Sequence, residues 1–310
     1  MPGVKIALMG EAMLELTHPT GQGAKLSYGG DILNTSIYLA RLGVLPQLVT
    51  ALGRDPYSDG LVKDWQRECV QVSHVLRDPE RLPGIYAVQT DHQGERSFYY
   101  WRQNSAARNF FNLDGSDSSV EYMRQVDWFY ISGITLSIFN ESERAQLAEI
   151  AKSVKARGGQ VAFDPNYRPN GWPNHETARK AIEKFATHAT LMLATIDDEN
   201  LLYGQMPGEA HVARWHELGV NTVVLKCGPR GAIIYEKGLE AQKVPVAVCE
   251  QPVDTTGAGD SFNAGFIFAK CRNHDNVKAA QAGNLLASHV IRHPGAIMPI
   301  AHMPDITTAL

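Results

Sequence analysis

The sequence has little cysteine, no strong excess of either charge and no long apolar run, and each absence excludes a class of protein. Its four cysteines are far apart and form no CxxC pair, so we expect reduced structural thiols at Cys69, Cys227, Cys249 and Cys271. A net charge of −4 argues against nucleic acid or an anionic membrane surface as the main partner. The longest apolar runs fall well short of the ~20 residues that a membrane span needs.

Two nucleotide-binding motifs are also missing. No GxxxxGK[ST] segment occurs, which argues against a P-loop enzyme. No GxGxxG occurs either, because Phe262 stands where the third glycine of that pattern would be, and this argues against a dinucleotide-dependent dehydrogenase. The first residues lead directly into a strand-like segment with no signal-peptide pattern, so we expect a cytoplasmic protein.

What the chain does contain is a regular alternation of apolar strand-like runs and amphipathic helical stretches. With 310 residues and 44% hydrophobic residues, it is long enough for one large α/β domain or two smaller ones. Strands that are apolar throughout indicate a mostly parallel sheet with helices on both faces. Ligands bind such sheets beyond the carboxyl ends of the strands. The predicted strands are Lys5–Met9, Pro46–Thr50, Trp128–Ile131, Gln160–Phe163, Thr190–Leu193, Thr222–Leu225 and Ala232–Tyr235; helices are predicted at Leu33–Leu42, Ser58–Gln66, Glu141–Ala156 and Glu176–Phe185.

Two segments do not follow this alternation of strands and helices. Residues 11–28 and 84–104 alternate polar and apolar side chains, which is typical of half-exposed antiparallel strands. We therefore predict a small β-sheet that projects from the main domain and acts as a lid. The chain has no repeat, low-complexity tract or long linker, so residues 1–310 are expected to form a single domain with this lid.

The second of these segments is rich in aromatic residues. A period of two places Phe98, Tyr100 and Arg102 on one face of the strand and Tyr99 and Trp101 on the other. One substrate-facing surface cannot use all of these rings, and an exposed strand edge invites pairing. We predict a homo-oligomer, at least a dimer, built through the lid strands; the alternative is that the second face folds back onto its own domain.

The most informative motif runs from Asp254 to Asp260 and opens into the apolar run Phe262–Ala269. The glycines at 257 and 259 allow the backbone N–H groups to turn inward, and a helix N-terminus adds partial positive charge. This combination suits a phosphate, and a carboxylate beside it suits a general base. The alternative is that Asp260 only caps the helix.

Three further polar segments are candidates for a site. Gly29-Gly30-Asp31 with Asn34 predicts a close ligand approach at a helix start, or simply a helix capped by Asp31. Asp164–Pro169 follows a predicted strand, where ligands bind, and carries Asn166 and Arg168 between two prolines; the alternative is a salt-bridged loop. Thr195–Glu199 contains acidic residues that could orient Mg²⁺ through water or form the charged first turn of a helix.

Taken in order, these segments resemble the ribokinase-like (PfkB) carbohydrate kinases over essentially the whole chain. The resemblance is carried by Gly29-Gly30 with Asn34-Thr35-Ser36 and Gly43, by Asp164 with Arg168, by Lys226-x-Gly228-x-x-Gly231, and by Asp254-Thr-x-Gly-Ala-Gly-Asp260. Within the family, Leu82–Tyr86, Glu95–Arg102 and Asn166–Pro169 are similar to bacterial members that phosphorylate the 6-hydroxyl of 2-keto-3-deoxygluconate.

The resemblance implies a role for each matching residue. Asp260 would be the general base, and the amides of Gly257, Ala258 and Gly259 would form an anion hole. Asp198, where the family often has the glutamate of an Asn-x-x-Glu motif, would orient Mg²⁺ through water, and Asp254 would bind a monovalent cation such as K⁺. Substrate contacts would fall on Gly30, Asp31, Asn34, Tyr86, Tyr100, Arg102, Arg168 and Asp260; ATP contacts would fall on Asn166, Arg168, Lys226, Gly228, Gly231, Gly257, Gly259 and Asn284.

The arginines favour an acidic sugar over a neutral one. Arg102 on the lid and Arg168 on the main domain suit a carboxylate, which ribose and fructose lack. We expect the two guanidinium groups to grip the substrate when the lid approaches, while Arg168 could also serve the ATP phosphates. A neutral-sugar kinase of the same family is the alternative, and a non-catalytic sugar-binding protein on the same fold is a further one.

Overall fold

The computed structural model describes residues 3–17, 23, 25–90, 96–246 and 251–310. The strands in these ranges are β1 (Ile6–Met9), β2 (Met13–Thr17), β3 (Lys25–Gly29), β4 (Pro46–Gly53), β5 (Gln71–Asp78), β6 (Ile85–Thr90), β7 (Arg96–Trp101), β8 (Trp128–Ser132), β9 (Gln160–Asp164), β10 (Leu191–Thr195), β11 (Thr222–Lys226), β12 (Ala232–Glu236) and β13 (Gln242–Val244). The α-helices are α1 (Asp31–Arg41), α2 (Pro56–Arg67), α3 (Ser116–Arg124), α4 (Gly133–Ile138), α5 (Glu141–Ala156), α6 (His175–Ala186), α7 (Ile196–Tyr203), α8 (Gly208–Glu217), α9 (Ala258–Cys271) and α10 (Asn276–Val290).

Within those ranges, nine strands form one large sheet in the order β13-β12-β11-β10-β9-β8-β1-β4-β5. The seven strands from β11 to β5 in this order are parallel, and β12 and β13 are added antiparallel at one edge. The prediction of an α/β fold with a mostly parallel sheet is confirmed. Because the carboxyl ends of parallel strands meet at one edge, the residues that follow β1, β9 and β11 come close together there.

Successive residues of each central strand enter two different hydrophobic cores. In β1, Leu8 packs into the core that contains Trp65 and Phe266, whereas Met9 packs into the one that contains Phe129 and Trp215. Helices cover both faces of the sheet, so the strands need apolar residues at every position. This explains why their sequences show no alternation.

The remaining four strands form the small sheet, in the order β3-β2-β6-β7. Only three residues separate the end of β1 from the start of β2, which holds the small sheet beside the carboxyl edge of the large sheet. Tyr86 pairs with Tyr100 and Ile85 with Trp101, so the predicted two faces of β7 are confirmed. Residues 18–22, 24 and 91–95, which include Gly94 and Glu95 of the predicted lid segment, lie outside the described residues.

The described cysteines are unpaired, and the helices are those of a chain without a membrane span in the described ranges. Cys69, Cys227 and Cys271 carry free thiols, and Cys249 lies outside the described residues. Among the helices of the described ranges, we find none with the length and apolar character needed to cross a bilayer.

Candidate active site

Asp260 lies in the first turn of α9, directly after the glycine turn. Gly257 has φ 75°, and a Cβ there would lie 2.7 Å from the carbonyl oxygen of Ala296, so the position requires glycine. The N-terminus of α9 has no side-chain cap. The Asp260 carboxylate instead accepts a hydrogen bond of 2.8 Å from Asn34 Nδ2. The interpretation of Asp260 as a helix cap is therefore wrong.

The surroundings of Asp260 favour its protonated form more than water does. Burial, followed by the nearby charge of Asp31, raises the pKa of Asp260 to about 7, and the hydrogen bond from Asn34 opposes the shift. A carboxylate with a pKa near neutrality can accept a proton and release it again, which a general base must do.

The start of α1 supplies a second polar group at the same edge. Gly30 has φ 139°, and a Cβ there would lie 2.6 Å from the carbonyl oxygen of Glu11. Asp31, the first helical residue, is buried and accepts a bond of 3.1 Å from Asn166 Nδ2. Burial raises the pKa of Asp31. Asn166 itself has φ 34°, a left-handed conformation that asparagine tolerates better than most residues.

A buried network lies beneath the glycine turn. Lys226 Nζ donates to Asp164 Oδ2 at 2.8 Å and to Asn263 Oδ1 at 3.0 Å, and Asn263 Nδ2 also donates to Asp164 Oδ2 at 2.7 Å. The ammonium group lies 3.5 Å from the point where a Gly259 Cβ would stand. Our sequence analysis missed Asn263; the available signal was a single amide inside the apolar run Phe262–Ala269.

Arg168 and Asp198 are brought together by the loop after β9 and the first turn of α7. Arg168 Nη1 donates to Asp198 Oδ1 at 2.8 Å, and burial raises the pKa of Asp198 despite this partner. Salt bridges from Asp164 to Lys226 and from Arg168 to Asp198 thus tie the loop of residues 164–169 in place, and Asp197, Asp198 and Glu199 form the charged first turn of α7. The ligand contacts predicted for both segments stay predictions.

The remaining predicted nucleotide contacts lie around the β11–β12 connection. Gly228 and Gly231 have φ values of 56° and 83° in this tight turn. Asn284, on α10, donates from Nδ2 to the carbonyl oxygen of Val244 at 3.0 Å, which ties α10 to β13.

Asp254 precedes the glycine turn and organises the backbone around it. Its carboxylate oxygens accept the N–H groups of Thr256 at 3.0 Å and Gly295 at 2.5 Å. Within the described part of the chain, no group of three or more His, Cys, Asp or Glu residues is arranged to hold a metal ion.

The small sheet presents Tyr86, Tyr100 and Arg102 toward this edge. Tyr86 donates to Glu15, and its pKa is raised by burial, then by Glu15, with a smaller contribution from Asp260. The charges of Arg102 and Arg168 both act on Tyr100, against the burial that raises the pKa of its phenol. Of these two arginines, Arg102 has its guanidinium carbon 5.9 Å from the centre of the Tyr100 ring.

Comparison with known proteins agrees with this arrangement. The family model described as pfkB family carbohydrate kinase matches residues 5–303. The chain belongs to this family of kinases. It is 39% identical to 2-dehydro-3-deoxygluconokinase of Dickeya dadantii (strain 3937), over 96% of this chain and 98% of the relative. It is also 39% identical to 2-dehydro-3-deoxygluconokinase of Escherichia coli (strain K12), over 97% of this chain and 99% of the relative.

The fold of the kinase is shared with solved structures of more distant sequence. The structure of fructokinase from Vibrio cholerae O395, in its fructose-, ADP- and calcium-bound form, superposes with a TM-score of 0.83 at 23% identity, covering 96% of each chain. The predicted ribokinase-like fold, with a large mostly parallel sheet and a separate small one, is confirmed.

Proposed function

We propose that this kinase transfers the γ-phosphoryl group of ATP to the 6-hydroxyl of 2-keto-3-deoxy-D-gluconate, giving 2-keto-3-deoxy-6-phosphogluconate. The observation that carries the proposal is the Asp260 carboxylate, held by Asn34 at the start of α9 with its pKa raised to about 7. The relatives at 39% identity, which span nearly the whole chain, support this choice of substrate.

In the proposed reaction, the 6-hydroxyl oxygen attacks the γ-phosphorus of ATP while Asp260 takes the hydroxyl proton. The new bond joins this oxygen to phosphorus, and the bond from phosphorus to the β–γ bridging oxygen breaks, releasing ADP. The amides of Gly257, Ala258 and Gly259 would stabilise the charge on the transferred group, because they precede and open helix α9. Lys226, beneath the same turn, would add positive charge.

We assign the nucleotide and the ions by the chemistry of the available groups. Asn166, Arg168, Lys226, Gly228, Gly231 and Asn284 would hold ATP. Asp198 would orient Mg²⁺ through water, since carboxylates are ligands that Mg²⁺ prefers and this one stands beside Arg168. Mg²⁺ supplies charge neutralisation on the phosphates when bound. Asp254 would serve a monovalent cation such as K⁺, because it is buried immediately before the glycine turn.

The sugar acid would be held between the start of α1 and the small sheet. Asp31, Asn34 and the backbone at Gly30 offer partners for hydroxyl groups, and Tyr86 and Tyr100 line the opposite side. Arg102 and Arg168 would share the carboxylate and polarise the neighbouring keto group, because guanidinium groups bind planar carboxylates through paired hydrogen bonds.

A coupled ADP-release assay with ketodeoxygluconate, gluconate, fructose and ribose tests the proposal. We expect kcat/KM to be highest for ketodeoxygluconate. A preference for fructose or ribose would instead support the neutral-sugar alternative and remove the role of the arginines. If no sugar stimulates ADP release, the protein is a non-catalytic sugar-binding member of the family.

A further inference from the structure

Glu11 is a buried carboxylate that our sequence analysis did not single out. It lies two residues after β1, at the carboxyl edge of the large sheet, and its side chain is 1% exposed. Its Oε2 accepts a hydrogen bond of 2.7 Å from Arg102 Nε, and Arg102 Nη2 completes the ion pair. A buried carboxylate requires such a partner, because burial without one is costly.

The ion pair connects the two sheets. Glu11 follows a strand of the large sheet, and Arg102 directly follows β7 of the small sheet. Glycines at positions 84 and 30 leave room for Glu11. A Cβ on Gly84 would lie 2.6 Å from Glu11 Oε1, and a Cβ on Gly30 would lie 2.6 Å from the Glu11 carbonyl oxygen. Glu11 is therefore enclosed by the segments that carry the proposed sugar contacts Gly30, Tyr86 and Arg102.

The contact uses one edge of the guanidinium group. Nε and Nη2 face Glu11, whereas Nη1 makes no hydrogen bond within the described part of the chain. Arginine has a long side chain with many rotamers, and fixing it before the ligand arrives lowers the entropic cost of binding. The contact with Glu11 fixes the Arg102 side chain in this way.

We propose that Glu11 is a positioning residue that fixes Arg102 and thereby determines the preference for a sugar acid. This inference rests on the proposed function of Arg102. Glu11 acts here by fixing the position of the Arg102 side chain, so that Nη1 can bind the substrate carboxylate. Its negative charge offsets part of the arginine charge. It does not contact the reacting atoms.

A double-mutant cycle tests this inference by measuring kcat and KM in wild type, Glu11→Ala, Arg102→Ala and the double variant. We expect Glu11→Ala to raise KM for ketodeoxygluconate about 10-fold, with KM for ATP nearly unchanged, and the double variant to lose no more than Arg102→Ala alone. Additive losses, or an equal rise in KM for ATP, would overturn the inference.

Two conservative variants separate positioning from a structural role. Glu11→Gln keeps the length and the acceptor, so it should keep KM for the sugar acid within about threefold of wild type. Glu11→Asp keeps the charge but withdraws it by one methylene, so it should raise KM more than Glu11→Gln does. The reverse order would show that charge and not geometry matters, and this comparison decides the question if Glu11→Ala does not fold.

A matched control is an ion pair with a second buried arginine, between Arg41 Nη2 and Glu68 Oε1 at 2.6 Å; neither residue is among the proposed ligand contacts. Glu68→Ala should lower the melting temperature without changing KM for the sugar acid. An equal rise in KM in this control would also overturn the inference. If wild type turns over fructose but not ketodeoxygluconate, the proposed function fails instead, because Arg102 then has no carboxylate to bind.

Discussion

At the scale of single residues, the chemistry depends on how Asp260 is held. Its partner Asn34 is 226 positions away in the sequence and comes from a different helix. The local motif predicted a carboxylate beside an anion hole, because glycines and a helix start are local features. The contact with Asn34 depends on the packing of α1 against α9, which no local pattern specifies. The sequence alone therefore could not decide whether Asp260 is a base or a helix cap.

The pKa of Asp260 predicts the pH dependence of the reaction. Since the base must be ionised and its pKa is raised to about 7, kcat/KM should fall as the pH drops through that value. The bond from Asn34 favours the ionised form, so Asn34→Ala should move the midpoint to higher pH. The measurement is kcat/KM from about pH 5 to 9.

A matched control for this experiment is Asn109→Ala. Asn109 also donates to a carboxylate, Asp78 Oδ2 at 2.8 Å, and neither residue is among the proposed ligand contacts. Removing the Asn109 side chain should leave the midpoint pH of the kcat/KM profile at its wild-type value. A rate that stays constant down to about pH 5 would contradict the assignment of Asp260 as the base.

Two buried polar residues, Glu11 and Asn263, were not predicted from the sequence. Glu11 and Asn263 stand in segments whose neighbours are apolar, so each was indistinguishable from an ordinary core position with one polar exception. Their partners are distant in sequence: Arg102 directly follows β7, and Asp164 ends β9. Only the three-dimensional arrangement identifies them as parts of a network.

At the scale of elements, the pattern of apolar residues predicted the positions of most strands and helices. α5 was predicted with its observed bounds, because a capping box at Asn140 and Glu143 and an apolar stripe define it. β5 was missed because it is an edge strand with a mixed pattern of exposure, so its sequence alternates weakly and contains several polar residues. Tertiary context rather than local preference makes it a strand.

The small sheet gives a prediction about specificity. Arg102→Ala removes a largely buried guanidinium contact worth roughly 2–3 kcal/mol, so kcat/KM for ketodeoxygluconate should fall about 30- to 150-fold. KM for ATP should change little. Steady-state kinetics with each substrate varied in turn measures both effects.

Arg168→Ala is the informative comparison for Arg102→Ala. Arg168 contacts Asp198, which we place near the phosphates, so its loss should weaken the use of ATP as well as of the sugar acid. If Arg102→Ala turned over ketodeoxygluconate normally, the carboxylate argument for the substrate would lose its main physical support.

At the scale of the whole molecule, the outer face of the small sheet predicts self-association. Tyr99 and Trp101 are 50% and 61% exposed, and Leu26 lies on the same face. Large exposed apolar surfaces of this kind mark interaction sites. We expect sedimentation to give at least twice the 34.1 kDa of one chain at micromolar concentration.

Substitutions locate this interface. Trp101→Glu should shift the protein toward the monomer, because it buries a charge in the proposed contact. Ile300→Glu, at a residue that is 65% exposed elsewhere on the molecule, should leave the mass unchanged. A stable wild-type monomer would contradict the prediction.

The fold as a whole was predictable because its signals are repeated along the chain. Apolar strands alternate with amphipathic helices over the full length, and the resemblance to a known family covers the same range. The relative placement of the two sheets was not predictable, because it depends on contacts such as that between Glu11 and Arg102.

ADP release by Asp260→Asn with ketodeoxygluconate tests whether Asp260 is the base of a sugar-acid kinase. Asparagine keeps the shape but cannot take the proton, so kcat should fall at least ~10²-fold while KM for the sugar changes far less. Asp275→Asn is the matched control, since that carboxylate does cap a helix by accepting from Lys278 N at 2.8 Å, and it should keep normal turnover. Near-normal turnover of Asp260→Asn would contradict the account.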